Sequence, residues 1–396
     1  MKKLLCILLS LCLLLSLWAC GGEKEPQIPA EMDLSAYTLV VPQGNAQVKA
    51  AAEIIADAVK EATGLKMKPQ SDKTSGEPDA VSETEILVGV TNRTASQRTP
   101  ETAGSGGWWV QVSGTRIVVG AANVSQLRKA AAYFAESLTF EGEKIIFATE
   151  KCRVESGTDL LREKASALTV ASFNIKCGSE VDYDMTRVAE IIAQADPDIV
   201  GLQEVEVLSE RTAGRDLVKE LAEAAGYSHW QFVKTMDNRG GEYGTAILSR
   251  YPIVSFENLP LDIYEGDEPR TAGHFVLDVN GAEVDYYNTH FSYKYKEFIA
   301  RQAEQMNEFA AEKGHRGLII TADFNTASLM STLAVIEDTR LTNGGKYITY
   351  ASGKSAIDDI VMDLGWEIME SGVVESNGVS DHNLLWAKIS YTGGVG

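Results

Sequence analysis

Asp323 and Asn325, in the stretch Gly317 to Asn325 (GLIITADFN), offer a carboxylate and an amide two positions apart. Alternate residues of an extended chain point the same way, so this pair can present hard oxygens to a metal ion or steady a phosphate-bound oxygen. Leu318 to Thr321 reads as a buried strand, too short and too β-branched for a helix, that delivers both residues at its carboxyl end. An Asp-x-Asn after a strand is also a common turn, so partners elsewhere must decide. Asn174, Glu204, His290, Asp358 and the pair Asp381-His382 fall in the same way, at the end of a strand-like segment or just beyond it. Open α/β sheets build their sites there. Asn174 and Glu204 are oxygen donors suited to Mg²⁺ or Mn²⁺, and no Cys/His cluster offers a zinc site. His290 and His382, each near carboxylates, can serve as general acid and general base.

The segments that position these residues alternate strand and helix signals from Leu168 onward. Leu168 to Phe173 and Ile199 to Leu202 read as strands, with a helix from Met185 to Gln194 between them. Gly244 to Leu248 is a further strand. Ala272 to Val279 and Glu283 to Asn288 form a hairpin across Asn280-Gly281. Glu297 to Lys313 is a long helix, and Ile357 to Met362, Ile368 to Val374 and Asn383 to Ile389 close the chain as strands.

The chain has 396 residues, 44% hydrophobic and 23% charged, which suggests two domains with sizeable cores. Its formal charge of −20 argues against broad affinity for a polyanion. From Leu161 onward 20 Lys and Arg face 37 Asp and Glu, so no basic half is hidden.

Met1-Lys2-Lys3 followed by the apolar run Leu4 to Ala19 reads as a signal segment, shorter than a membrane span. Leu17-Trp18-Ala19-Cys20 resembles a bacterial lipobox. The resemblance implies a lipid anchor on Cys20 and a protein that works on the extracytoplasmic face of the cell membrane, with an ordinary secretory signal or an uncleaved anchor as the other readings. Residues 21–35 form a polar tether. Cys152 and Cys177 then remain, either paired as a disulfide or as two small buried thiols.

Residues 36–153 read as a small α+β domain. Tyr37 to Val41, Glu85 to Val90, Trp108 to Val112, Thr115 to Val119 and Lys144 to Phe147 are its strands, with helices at Ala46 to Thr63 and Gln126 to Leu138. ILVGVTNR and RIVVGAANVSQLRKAAAYF resemble the accessory domain that precedes the barrel in several glycoside hydrolases. That resemblance suggests glycan-rich surroundings. Trp108 and Trp109 can stack on a sugar or belong to the core. Residues 154–167, polar and carrying Gly157, are placed as the linker to a second domain at 168–392.

Across that second domain ASFNIKCG, DPDIVGLQEV, YGTAILSRYPI, YYNTHF, TADFN, AIDDIVM and VSDHN resemble, in order and spacing, the endonuclease/exonuclease/phosphatase superfamily, the fold of pancreatic-type deoxyribonucleases, neutral sphingomyelinases and inositol-polyphosphate phosphatases. The resemblance implies an α/β sandwich of two mixed β-sheets flanked by helices, and a Mg²⁺- or Mn²⁺-dependent phosphoric ester hydrolase. It implies metal binding by Glu204, Asn174 and Asp381, and water orientation by Asp323. By the same carry-over Asn325 holds a phosphoryl oxygen. His382 becomes the base, oriented by Asp358, and His290 steadies the phosphoryl group or protonates the leaving oxygen. Arg270 can clamp a phosphate or form a surface salt bridge.

Three positions depart from the pattern without removing a catalytic group: Ala322, Thr245 and Asp359. Glu206 stands where nuclease relatives often carry an arginine, and a second carboxylate near a metal would repel a polyanion. Phe256 to Glu268 adds five acidic residues and no Lys or Arg. The substrate expected is therefore a small or lipid phosphodiester. Nucleic acid is disfavoured unless Lys234, Arg239, Arg250 and Arg270 line one groove. A deoxyribonuclease-like endonuclease and a non-catalytic surface binding lipoprotein are the alternatives. His229, His274 and His315 lie off the strand-end pattern and read as surface or half-buried imidazoles.

Overall fold

The computed structural model describes residues 28–165, 167–313 and 317–395. The signal segment, Cys20, the first part of the tether and His315 lie outside the described residues.

Two six-stranded sheets face each other in the second half of the chain. The first runs, in spatial order, His229–Asn238, Gly241–Ser249, Ile199–Val207, Leu168–Asn174, Leu384–Tyr391 and Trp366–Val374. The second runs Ile253–Leu261, Arg270–Val279, Ala282–His290, Ile319–Asp323, Asp358–Asp363 and Thr339–Leu341. Each is mixed, with one parallel pairing at its centre: Leu168–Asn174 with Ile199–Val207, and Ala282–His290 with Ile319–Asp323.

Period-2 alternation decides what lies between the sheets and what lies outside them. Val170, Ile199, Ile247, Phe275, Val284, Tyr286, Ile319 and Leu385 fill the space between. Residues one position away, such as Ala171, Val200 and Leu248, turn outward under the helices Met185–Ala195 and Leu217–Ala225. Lys296–Lys313 covers the second sheet through Ile299, Ala303, Met306 and Ala310.

Near the site end the interior turns polar. Asn288 donates to the carbonyls of Leu202 (2.8 Å) and Ala246 (2.9 Å), across the gap between sheets. Its oxygen accepts from Gln203 (2.7 Å) and from Thr321 (3.1 Å). Gly201 makes this possible: a Cβ there would strike the Thr321 hydroxyl and the Asn288 amide. Buried polar groups of this kind stay only when bonded, so the network fixes how one sheet sits on the other.

In the first part of the chain, Gln70–Ser71, Thr38–Val41, Glu85–Val88, Arg116–Ala121, Trp108–Ser113 and Arg153–Glu155 form another sheet, with helices Ala46–Thr63 and Val124–Glu136 packed on its core. A three-stranded sheet joins Glu31–Asp33, Lys144–Ala148 and Leu138–Glu141. Its first strand uses residues read from the sequence as tether.

The described residues of the polar segment read as a linker include regular elements as well. Arg153–Glu155 pairs with Trp108 to Val110, and the helix Leu160–Lys164 buries Leu161 in the sandwich core. Trp109 is buried, and Trp108 packs against Tyr133 at 5.1 Å between ring centroids, beneath Arg153. Trp109 therefore has no face to offer a sugar. Cys152 and Cys177 are both free thiols; Cys177 is buried but Cys152 is exposed, against the reading of two buried thiols.

The end of the chain returns to this first core. Gly393 and Gly394, at φ +86° and +71°, turn it so that Val395 enters the cluster with Val48, Val88 and Val119. Val90 donates to the Val395 carbonyl at 2.8 Å, and the Asn45 amide to the Gly394 carbonyl at 3.0 Å. Val395→Ala should cost about 2 kcal/mol of stability, from lost burial plus a small cavity. A urea melt followed by far-UV circular dichroism should show the midpoint lowered. An unchanged midpoint would mean that the Val395 side chain contributes nothing to the fold.

Candidate active site

Pairing between strands brings the strand-end residues together. His290, Asp323 and Asp358 lie side by side in register on three neighbouring strands of the second sheet. Asn174 pairs with Gln203 on the first sheet, so Asn174 and Glu204 close the other side. Glu204 sits at a β-bulge, where pairing to the neighbouring strand shifts between Leu202 and Val205, and its φ is +52°. The bulge turns its side chain off the regular alternation, as bulges beside active sites do.

Asn174 links the two sheets. Its amide nitrogen donates to Glu204 (3.1 Å) and to Asp323 (3.0 Å), and its oxygen accepts the backbone N–H of Lys176 (3.0 Å). His382 sits over the same point. Its Nδ1 meets both oxygens of Asp358 at 3.2 and 3.0 Å, which leaves Nε2 3.6 Å from Asp323 Oδ2. His290 Nε2 stands 3.6 Å from that same oxygen. The Ser380 hydroxyl, donating to the Asn174 carbonyl (2.7 Å) and accepting from the His382 N–H (3.2 Å), ties the histidine loop to the first strand.

The family model described as the Endonuclease/Exonuclease/phosphatase family matches residues 171–382, which span all of these groups. The chain belongs to this family. Among solved structures, an endonuclease/exonuclease/phosphatase from Beutenbergia cavernae is 21% identical, over 57% of this chain and 72% of that one, with a TM-score of 0.50. A mannosyl-6-phosphatase from Bacteroides thetaiotaomicron is 17% identical over 57% of this chain and all of its own, with a TM-score of 0.43. The human Nocturnin catalytic domain with bound sulfate is 18% identical, covering 57% and 95%, at 0.46. At 21% identity the likeness to the first of these is one of fold. No curated protein matches the sequence.

The protein is thus an endonuclease/exonuclease/phosphatase family hydrolase acting on phosphoester bonds. The family depends on a divalent metal, and the residues present fit one. Asp323 and Asp358 are buried carboxylates and Glu204 a part-buried one, and Asp323, Asp358 and His382 offer ligand atoms within 4.8 Å of one another. Burial and the neighbouring Asp358 carboxylate push Asp323 up to about 7, and burial raises Glu204 against the opposing bond from Asn174. A hard dication is the natural partner for oxygens so placed.

Individual expectations are adjusted by the geometry. What Asn174, expected as a metal ligand, turns toward Glu204 and Asp323 is its NH₂, which orients both carboxylates. Asp381 lies at the rim, 22% exposed and 3.2 Å from Lys176 Nζ. Asn325 donates its side-chain amide to the Phe291 carbonyl (2.9 Å), and its own N–H bonds Asp323 (2.9 Å). Asp359 turns away from the site and gathers the N–H groups of Thr342, Asn343 and Gly344. Arg270 is buried, ion-paired to Glu268 and left with an unpartnered Nε, so it is not a surface salt bridge.

Glu206 is fully buried and ion-paired to Arg211, with a further bond from Asn238 (2.8 Å), so it presents no free charge to a substrate. His274 is also buried, with Nε2 2.8 Å from Asp285, and not a surface imidazole. Lys176 and Ser380 support the site without having been singled out in the sequence. Ser380 could have been found from its place in the Ser-Asp-His run. Lys176 could not, because its position depends on a left-handed turn, at φ +48°.

Burial alone would push the His382 imidazole down, but Asp358 with Asp323 and Asp381 carries it up to about 10. A group raised in this way contributes stability that is fully present below its unfolded value near 6.5 and lost as pH rises through the folded value. In chelator, the urea midpoint of the wild type should fall between pH 7 and pH 10.5, and His382→Gln should flatten that slope. Parallel slopes for the two proteins would remove His382 as its source.

Proposed function

We propose that this hydrolase cleaves phosphodiesters of small molecules or lipids on the outer side of the cell membrane, where it is held through Cys20. The observation that carries the chemistry is the placement of both histidine Nε2 atoms at 3.6 Å from Asp323 Oδ2. In this reading Asp323 holds the attacking water and His382 removes its proton, with Asp358 keeping the ring turned inward. His290 is held well below the usual imidazole range by burial, with Arg270 and His382 adding to it. It is therefore neutral, and serves as a hydrogen-bond donor to the phosphoryl group more readily than as a cationic acid. Arg270 adds a buried positive charge near His290 and Glu204, where charge grows on phosphoryl oxygens. A divalent cation held by Glu204 with Asp323 would neutralise those oxygens and lower the proton affinity of the site.

Against duplex DNA stands the arrangement of cations more than their number. Arg250 lies beside Asp196 and Asp198, at the end of the sheet opposite Glu204, and Lys234 is engaged by Asp237 and Glu242. Arg270 is enclosed. Arg250 is thereby removed from any groove the other cations could line, and tight duplex binding needs several phosphate contacts.

Chelation should abolish hydrolysis of bis-p-nitrophenyl phosphate, and His382→Ala should lower kcat about a hundredfold or more with an unchanged far-UV circular dichroism spectrum. Full activity in either case would mean the site is misassigned. Plasmid degradation at near-physiological salt, without turnover of small or lipid diesters, would instead establish the nuclease reading. For the anchor, Cys20→Ser should move the protein from the membrane pellet to the soluble fraction. Retention in the pellet would rule out lipidation at that residue.

A further inference from the structure

The side of the site next to His382 is formed by a short loop whose contacts are specific. Tyr350 and Ser355 bond each other through both backbone groups, at 2.9 and 3.2 Å, and close the loop. Ala351 donates to the Asp381 carbonyl at 2.9 Å, and Asn383 to the Thr349 carbonyl at 2.6 Å, so the loop is laced to the segment that carries His382. The Thr349 hydroxyl accepts the N–H groups of Ile357 and Asp358, each at 3.1 Å, which ties the same loop to the partner of His382. Between these anchors the Tyr350 ring lies 5.0 Å from the His382 ring, tilted by 44°. The ring is only part-buried, and Ile348, two residues earlier, is 50% exposed. Gly353 leaves the space the ring occupies: a Cβ there would collide with its Cδ1 and Cε1. The Gly353 backbone is not in the left-handed region, so crowding of the ring is what an added methyl would change.

We propose that the Tyr350 ring is the wall against which the retained organic group of a phosphodiester packs, so that the enzyme favours esters whose retained group has an apolar or aromatic face. This rests on the reading of His382 as base. In hydrolysis the water oxygen bonds to phosphorus as the bond to the leaving oxygen breaks; the water proton passes to His382 and from there to solvent, and the leaving oxygen takes one proton back from solvent. The product is a monoester and an alcohol. Attacking and leaving oxygens lie roughly in line, so the leaving group departs away from the base. Tyr350 flanks the base. It is therefore placed to meet the group that stays on phosphorus and not the one that leaves. An aromatic edge or face there favours a flat or apolar partner over a small polar one.

The test uses two diesters with the same leaving group, phenyl p-nitrophenyl phosphate and methyl p-nitrophenyl phosphate, with Mg²⁺ present. In Tyr350→Ala the ratio of kcat/KM for the phenyl over the methyl ester should fall roughly five- to tenfold, the span of a single aromatic contact. Gly353→Ala should move the ratio in the same direction, and Tyr350→Phe should keep it. An unchanged ratio in Tyr350→Ala, or an equal fall in kcat for both esters, would overturn the proposal, the second outcome marking Tyr350 as a prop for His382. His382→Ala separates the two levels. If that variant is inactive while the ratio is unmoved in Tyr350→Ala, only the role of Tyr350 fails; if it is fully active, the site reading fails and takes the wall with it.

Discussion

Three carboxylates, Glu204, Asp323 and Asp358, are gathered at one end of a sandwich where water is scarce, and like charges in such a place cannot all remain ionised without help. The protein answers with protons and fixed cations. Asp323 is pushed up toward neutrality, the His382 imidazole is drawn up by the carboxylates around it, and Arg270 is buried alongside. The same field that holds these protons would hold a divalent cation. Proton and metal therefore compete for one negative site, and an imidazole meant to accept a proton near neutral pH is in a suitable state only when other positive charge has entered.

That arrangement survives because neither sheet is free to slide. A slip of one residue in either sheet would send Asn174, His290 or Asp323 to the wrong face. The parallel pairs at the centres of the sheets set the strand ends level, and the Asn288 network bonds the first sheet to the second directly beneath them. Gly201 carries no side chain because the Thr321 hydroxyl and Asn288 amide fill the space one would need. The site depends on polar packing as much as on strand hydrophobicity.

The strand ends were legible in the sequence because burial of both faces makes short β-branched runs that stop at a polar residue, as Ile319 to Asp323 does. The helix Ala46–Thr63 was legible to its last residue, since Gly64 takes the left-handed cap at φ +76°. Other elements were not. His229–Asn238 and Ile253–Leu261 are edge strands whose outer side chains are partly exposed and mixed in character, so alternation is weak in them. Glu31–Asp33, polar and brief, is a strand only because Lys144–Ala148 lies beside it. The return of Val395 to the first core leaves no local trace, because its partners lie some three hundred residues earlier in the sequence.

Composition misled where it treated charge as if it were spread evenly. Glu206 looked like a repulsive carboxylate, yet Arg211 from the following turn neutralises it inside the protein. In the acidic stretch before Arg270, Glu257 meets Lys313, Asp262 meets Arg301, Asp267 meets Lys294 and Glu268 meets Arg270. The exposed ones among these pairs add little to stability, but every pair cancels field, and it is field that a charged substrate meets. A net charge of −20 therefore says less about the mouth of the site than a single fact of placement: Arg250 is spent at the far end of the sheet. What a charged group meets at the mouth of the site is then set by the charges beside Arg270 and the two histidines, and the charges cancelled in pairs elsewhere on the surface do not enter that local field.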